Sequence, residues 1–252
     1  MQLHHLRRSS GSFPGLWSVP RPDLEELWVQ SRDENALSLL DHLPDRGLAI
    51  VGTRRPLGRS EWFAQELVRG LRGTDLIILS GLARGIDRVA HESAIESGIP
   101  TIAILGSGHG HVYPPESLPL REAIIESGGL VISEFAPSMH PARQHFVRRN
   151  RCIAAWSRAT CVIEAPAKSG SLLTADYAME RHATVFSVPS FPGDPAFAGN
   201  QRLIDEHAAI PLWGAHSLGA VWLELATIQQ ALALGMKTTK NGRHLKNERG
   251  SL

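Results

Sequence analysis

The run Leu48-Ala49-Ile50-Val51-Gly52-Thr53-Arg54-Arg55-Pro56-Leu57-Gly58-Arg59-Ser60 holds the repeating unit of this chain. Four consecutive apolar residues end at a glycine, a polar loop follows, and a helical pattern covers residues 60–71. A short apolar run with no polar alternation reads as a strand covered on both faces. The same unit then recurs. Residues 76–79 lead through Ser80-Gly81 to a helix over 87–97, and residues 101–105 lead through a glycine-rich loop to a helix over 117–127. Residues 130–133 lead through a basic run to a helix over 150–157. Residues 161–164 lead through Ser169-Gly170-Ser171 to a helix ending near Arg181, and residues 185–188 close the series. Six such strands alternating with helices predict an α/β protein with a mostly parallel twisted sheet between two helical layers.

The flanks read differently. Residues 1–22 are rich in Ser, Gly, Pro and Arg and are expected to lie over the surface or to be disordered. Leu24, Leu27, Trp28, Leu37, Leu39 and Leu40 have helical spacing, which predicts one or two short helices over 23–40. After Pro189 come a loop through Phe191-Pro192-Gly193, a short helix over 201–206 and a last helix over 220–234. The tail beyond it carries Lys237, Lys240, Arg243, Lys246 and Arg249 against Glu248 and is expected to be disordered. The expected organisation is an N-terminal extension with short helices (1–45), the main domain (46–215), and a C-terminal helix with a basic tail (216–252).

A chain of 252 residues with 42% hydrophobic and 20% charged content matches one ordinary globular domain with arms. The net charge of +1 conceals that 22 of the 26 basic residues are arginine. Forked guanidinium groups suit phosphate recognition, although genome base composition produces the same bias. Cys152 and Cys161 lie in apolar surroundings without metal-ligand spacing, as in a reduced, cytoplasmic protein with buried thiols. No apolar run has the length of a signal sequence or a membrane span.

Right-handed crossovers bring every strand-to-helix loop of a parallel sheet to its carboxyl edge, so the distinctive residues of this chain converge there. Gly52 to Arg59 opens a helix whose free N–H groups favour an anion; its glycine spacing is neither the dinucleotide fingerprint nor a Walker loop. In the second loop Gly81 and Gly85 flank Arg84 as a backbone cradle for phosphate, with Asp87 as a helix cap and His91 one turn on as its partner. The third loop, Gly106 to Pro114, holds His109 and His111 without nearby carboxylates or cysteines, so no metal is expected. The fourth is the basic run from His140 to Arg151. It places Arg143, Phe146, Arg148, Asn150 and Arg151 in a segment without an acid, read as a loop leading into a helix. Guanidinium groups there would hold phosphates while the Phe146 ring offers a face to a base. In the fifth loop Lys168, Ser169, Gly170 and Ser171 begin a helix, either serine serving as anion contact or as N-cap. No nucleophile elbow, metal-ligand cluster or carboxylate pair occurs, which favours a binder of a phosphorylated polymer over a catalyst and implies no cofactor.

Taken together, IVGTRRPLGR, ILSGLARGIDRVAH, TIAILGSGHGHVYPPES, ISE, HFVRRNRCIAAWS and VIEAPAKSGSLLTADYAMERHATVFSVPS resemble, in order and spacing, the DNA-processing protein A (DprA/Smf) family. The resemblance covers about residues 48–190, more weakly to 213. It implies an extended Rossmann-like domain that binds single-stranded DNA, protects incoming strands in natural transformation and loads a RecA-type recombinase, as a homodimer. By motif, Arg54 contacts phosphate, Gly81 and Gly85 shape the second loop, and Phe146 stacks a base. Asn150 and Arg151 hold the strand nearby, Ser169 to Ser171 supply helix-start contacts, and Arg143 adds a basic group before the phenylalanine. The chain departs from the family pattern at Thr53, in the Tyr-Pro loop, which has Pro115-Glu116 and lacks the lysine often seen after it, at His182-Ala183, at Ser190 and at His207-Ala208. The C-terminal winged helix that many members carry is not expected within these residues. Two other readings stand beside this one. A nucleotide phosphoribohydrolase of the lysine-decarboxylase-like (LOG) type would use Glu164 as its acid, but its Pro-Gly-Gly-x-Gly-Thr-x-x-Glu motif is absent. A decayed relative acting as a protein scaffold would bind a partner and no DNA.

Overall fold

Leu48, Ala49, Ile50 and Val51 are all buried, but they face two ways. Ala49 and Val51 join one apolar cluster, Leu48 and Ile50 another. This period-two division is what a strand imposes on a continuous apolar run, and it separates the molecule into three layers. The computed structural model describes residues 1–17, 23–190 and 193–219.

In chain order the elements are β1 (Gln2–Arg7), α1 (Pro14–Trp17), β2 (Glu26–Ser31), β3 (Gly47–Val51), α2 (Gly58–Arg69), β4 (Ile77–Ser80), α3 (Ile86–Ser97), β5 (Thr101–Leu105) and α4 (Leu118–Glu126). They continue with β6 (Leu130–Ser133), α5 (Arg143–Ala155), β7 (Ala159–Val162), α6 (Gly170–Glu180), β8 (Thr184–Ser187), α7 (Ala198–Asp205) and β9 (Ile210–Pro211). The sheet order is β1-β2-β6-β5-β4-β3-β7-β8-β9. Every pairing from β6 to β9 is parallel, and β1 and β2 are antiparallel additions at one edge. Helices α2 and α3 pack on Leu48, Ile50 and Ile78; α4 packs on Ala103, Leu105 and Val131. Helices α5 and α6 pack on the alternate residues Ala49, Val51, Leu79 and Ile104. This is the expected three-layer, Rossmann-like α/β architecture.

The structure overturns three local expectations. Residues 26–31 form a strand rather than a helix. Leu27 and Val29 point into the core as alternate residues, and the coincident helical spacing of Leu24, Leu27 and Trp28 yields to the open edge of β6, whose backbone groups β2 satisfies. The N-terminus is not wholly irregular either, because β1 adds to β2 through backbone pairing and His5 stacks on Trp28 with ring centroids 4.7 Å apart. The basic run is itself helix: α5 begins at Arg143, straight after Pro141 and the extended Ala142, and no glycine or proline interrupts it. The expected last helix over 220–234, the basic tail and Phe191-Pro192 lie outside the described residues.

His91 does not pair with Asp87. Its Nδ1 meets the Thr101 hydroxyl at 2.7 Å, and that hydroxyl donates to the Ile78 carbonyl at 3.0 Å. Nδ1 therefore carries the hydrogen, and Nε2 is buried without a partner. Burial first, and the charge of Arg149 second, lower the His91 pKa to about 3. Burial likewise lowers that of His109 to about 4, while its ring is held by Gln30 and the Trp28 carbonyl. Both values lie below the ordinary histidine value of about 6.5, so the unfolded chain takes up these protons first as the pH falls. Their stabilisation is complete above that value and is lost as pH drops towards 4 and 3. Each group should contribute a slope of about 1.4 kcal/mol per pH unit within its window. Urea unfolding at pH 7 and pH 5 should show a clearly lower midpoint at pH 5, with a smaller drop for His91→Gln. An equal drop in both proteins would refute the assignment to His91.

Candidate nucleic-acid interface

Strand order reverses between β3 and β7, and a crevice opens beyond their carboxyl ends. Glu164 braces this junction. Its carbonyl accepts the Thr53 N–H at 2.8 Å and its carboxylate accepts the Leu57 N–H at 2.9 Å. The side chain is only 2% exposed, which gives it a structural task and leaves little surface for acid catalysis. Asn200 secures the same loop from below. It accepts the Ala165 N–H at 2.7 Å and donates to the Val162 carbonyl at 3.0 Å.

The groove above encloses about 1130 Å³ and is lined by Thr53, Arg54, Arg143, Phe146, Asn150, Lys168, Ser169, Gly170 and Ser171, among others. Thus the first, fourth and fifth loops meet. Phe146 is half-buried above Gly106, where a Cβ would strike the ring. The Arg54 guanidinium lies 5.7 Å from the Phe146 ring centroid, and Tyr113 approaches from another side at 5.5 Å and 50°. Arg54 and Arg143 are exposed, as is Lys168. Ser169 is the N-cap of α6, accepting the Ser171 N–H at 3.4 Å while its hydroxyl meets that of Ser171 at 2.7 Å. The positive end of that helix faces the groove.

Other expected residues lie elsewhere. On a helix each residue turns about 100° from the last, so the arginines of α5 diverge. Arg148 is outside the groove lining, held by Glu134 at 2.8 and 3.1 Å and near Asp23 at 3.6 Å. Arg151 lies over the Tyr177 ring, 4.9 Å from its centroid, and is also outside the lining. Gly85 is buried at the start of α3 with φ +73°, and a Cβ there would meet the Thr53 carbonyl. Gly81 is buried as well, and the space a side chain would need holds the Arg149 guanidinium. These glycines shape the loops from within. Arg84 borders a small recess beside the groove, shared with Arg54, Tyr113 and Phe146, and is paired with Glu116.

Arg149 was not among the expected site residues, yet it is the centre of the floor. It is 4% exposed and donates to the carbonyls of Gly81 and Ile104, the latter at 2.6 Å. Its Nε donates to Asn150 Oδ1 at 3.1 Å, and Asn150 Nδ2 donates to the Gly170 carbonyl at 3.1 Å. A hydrogen-bonded line therefore runs from the β4 loop and β5 through α5 to the first turn of α6. Burial pushes the Asp87 carboxyl up and the Arg149 charge draws it back, while Asp87 accepts the Gly81 N–H at 3.0 Å. The spacing of Phe146, Arg149, Asn150 and Ile153 marks one helical face, and that signal was hidden by reading the run as a loop. Among the described residues no group of His, Cys, Asp and Glu is arranged to hold a metal ion. Exposed cations, an aromatic face and a helix N-terminus in one open groove can hold phosphates and a base.

A family model described as DNA recombination-mediator protein A matches residues 37–218. Protein Smf of Synechocystis sp. is 39% identical over 201 residues, which cover 78% of this chain and 48% of that protein. DNA processing protein DprA of Streptococcus pneumoniae is 38% identical over 171 residues, 68% of this chain and 60% of that protein. The chain therefore spans about half to three-fifths of the length of these relatives. The X-ray structure of DNA processing protein A from Streptococcus pneumoniae superposes with a TM-score of 0.76 at 30% identity, over 87% of this chain and 74% of that one. A structure of DNA processing protein A from Helicobacter pylori, described for its single-stranded DNA binding mode, has a TM-score of 0.74 at 25% identity, over 89% of this chain and 97% of that one. With nearly three-quarters of its length matched by the model and this architecture shared, the chain belongs to the DNA recombination-mediator protein A (DprA/Smf) family.

Proposed function

We propose that this protein binds single-stranded DNA without sequence preference along the groove at the carboxyl edge of its sheet, and that it is a binder rather than an enzyme. The observation that carries the reading is the meeting of Arg54, Arg143, Phe146, Lys168 and the α6 N-terminus around one open groove. Cations track the phosphates, and Phe146 takes a base whose identity is irrelevant to stacking. The Helicobacter pylori relative, described as binding single-stranded DNA, supports the same ligand here. Family membership further supports protection of incoming strands in natural transformation and their delivery to a RecA-type recombinase by a cytoplasmic homodimer. No helix among the described residues is long and apolar enough to cross a membrane. The buried, hydrogen-bonded Glu164 weighs against nucleotide hydrolysis.

Photo-crosslinking tests the reading. A strand carrying 5-bromodeoxyuridine should crosslink to peptides containing Phe146 or residues 166–171. Crosslinks confined to another face of the sheet would overturn the proposed path.

A further inference from the structure

Tyr113 is 42% exposed and lines both the groove and the recess that continues from it past Phe146. Arg84 also lines that recess. The rings of Tyr113 and Phe146 are 5.5 Å apart, closer than the roughly 7 Å needed to admit a base between two faces. They are inclined at 50°, so each offers its own outer face in a different direction. Arg84 is bound to Glu116, and both side chains are more than half exposed. An exposed ion pair in water is weak and readily exchanged.

We propose that Tyr113 and Arg84 form a second nucleotide subsite beside Phe146, stacking the neighbouring base and holding its phosphate, and that Glu116 competes with that phosphate for Arg84. The inference rests on the single-stranded DNA reading. A strand already seated on Phe146 delivers its next phosphate at high effective concentration, which lets it displace the carboxylate. Glu116 nevertheless remains beside the path and repels the strand. The natural protein would then hold its ligand less tightly than the groove allows, in keeping with a protein that must release DNA.

The test uses labelled oligo-dT of about 15 nucleotides, long enough to span both subsites. Glu116→Gln should tighten its binding about threefold or more, because the phosphate no longer competes with a carboxylate for Arg84 and no negative charge stays beside the path. Tyr113→Ala should weaken binding of the same strand about fivefold or more. Glu96→Gln, an exposed acid at the end of α3, controls for net charge and should change nothing. An unchanged Glu116→Gln protein, or a gain equal to that of Glu96→Gln, would overturn the subsite. Failure of the unaltered protein to bind the strand would instead overturn the parent reading.

Discussion

Arg149→Met is expected to lower stability by about 3–5 kcal/mol, the cost of breaking a buried charge network from one side. Methionine fills much of the same volume, so the loss is polar. The carbonyls of Gly81 and Ile104 lose their donor, and the Asn150 amide loses its Nε partner. Asp87, already pushed up by burial, loses the positive charge that offsets it. Arg149→Lys keeps a charge but cannot fork to three acceptors on three elements, so it should fall between. Adding Asp87→Asn to Arg149→Met should recover part of the loss, because no uncompensated carboxylate remains buried. Urea unfolding reads all four proteins. A loss below about 1 kcal/mol for Arg149→Met would mean that solvent reaches the site and that the floor is not held as described.

The second large effect concerns the ligand and separates two kinds of contact. Phe146→Ala removes the stacking face, and loss of one stacked base costs about 1–3 kcal/mol, or about 5- to 150-fold in affinity. Stacking releases no counterion, so the slope of log K against log salt should stay nearly constant. Arg54→Ala should instead flatten that slope by about 0.7, as expected for one phosphate contact to a single strand. Arg54 has a further consequence, because its guanidinium lies over the Phe146 ring and steadies it. The double variant should therefore lose less than the two single losses combined. Identical slopes for all variants would remove Arg54 from the phosphate path.

The parallel sheet was legible because runs such as Leu48 to Val51 are apolar on both faces and end at glycine or polar loops. From this alone the right-handed crossover rule gathers the loops of Arg54, Phe146 and Ser169 to Ser171 at one edge, as observed. What was misread had local signals that tertiary structure overrode or hid. In β1 every side chain is exposed or half-exposed, so no apolar alternation announces a strand held by backbone pairing. In β2 the alternation of Leu27 and Val29 was masked by apolar neighbours at helical spacing. In α5 the density of arginine suggested a loop, and with it one basic surface. The helix instead sends Arg148 to Glu134, Arg151 to Tyr177 and Arg149 into the floor. The glycines of the second loop read as a cradle for phosphate, whereas at Gly81 the room is taken by the Arg149 guanidinium itself.

A single strand held in this groove by phosphate contacts and stacking has a simple signature in solution. Fluorescence anisotropy of labelled oligo-dT, titrated at two salt concentrations with unlabelled duplex as competitor, reads it. Binding should be tight, weaken steeply with salt, survive excess duplex and weaken again in Phe146→Ala. Absence of binding at low salt, or complete displacement by duplex, would refute a single strand in this groove.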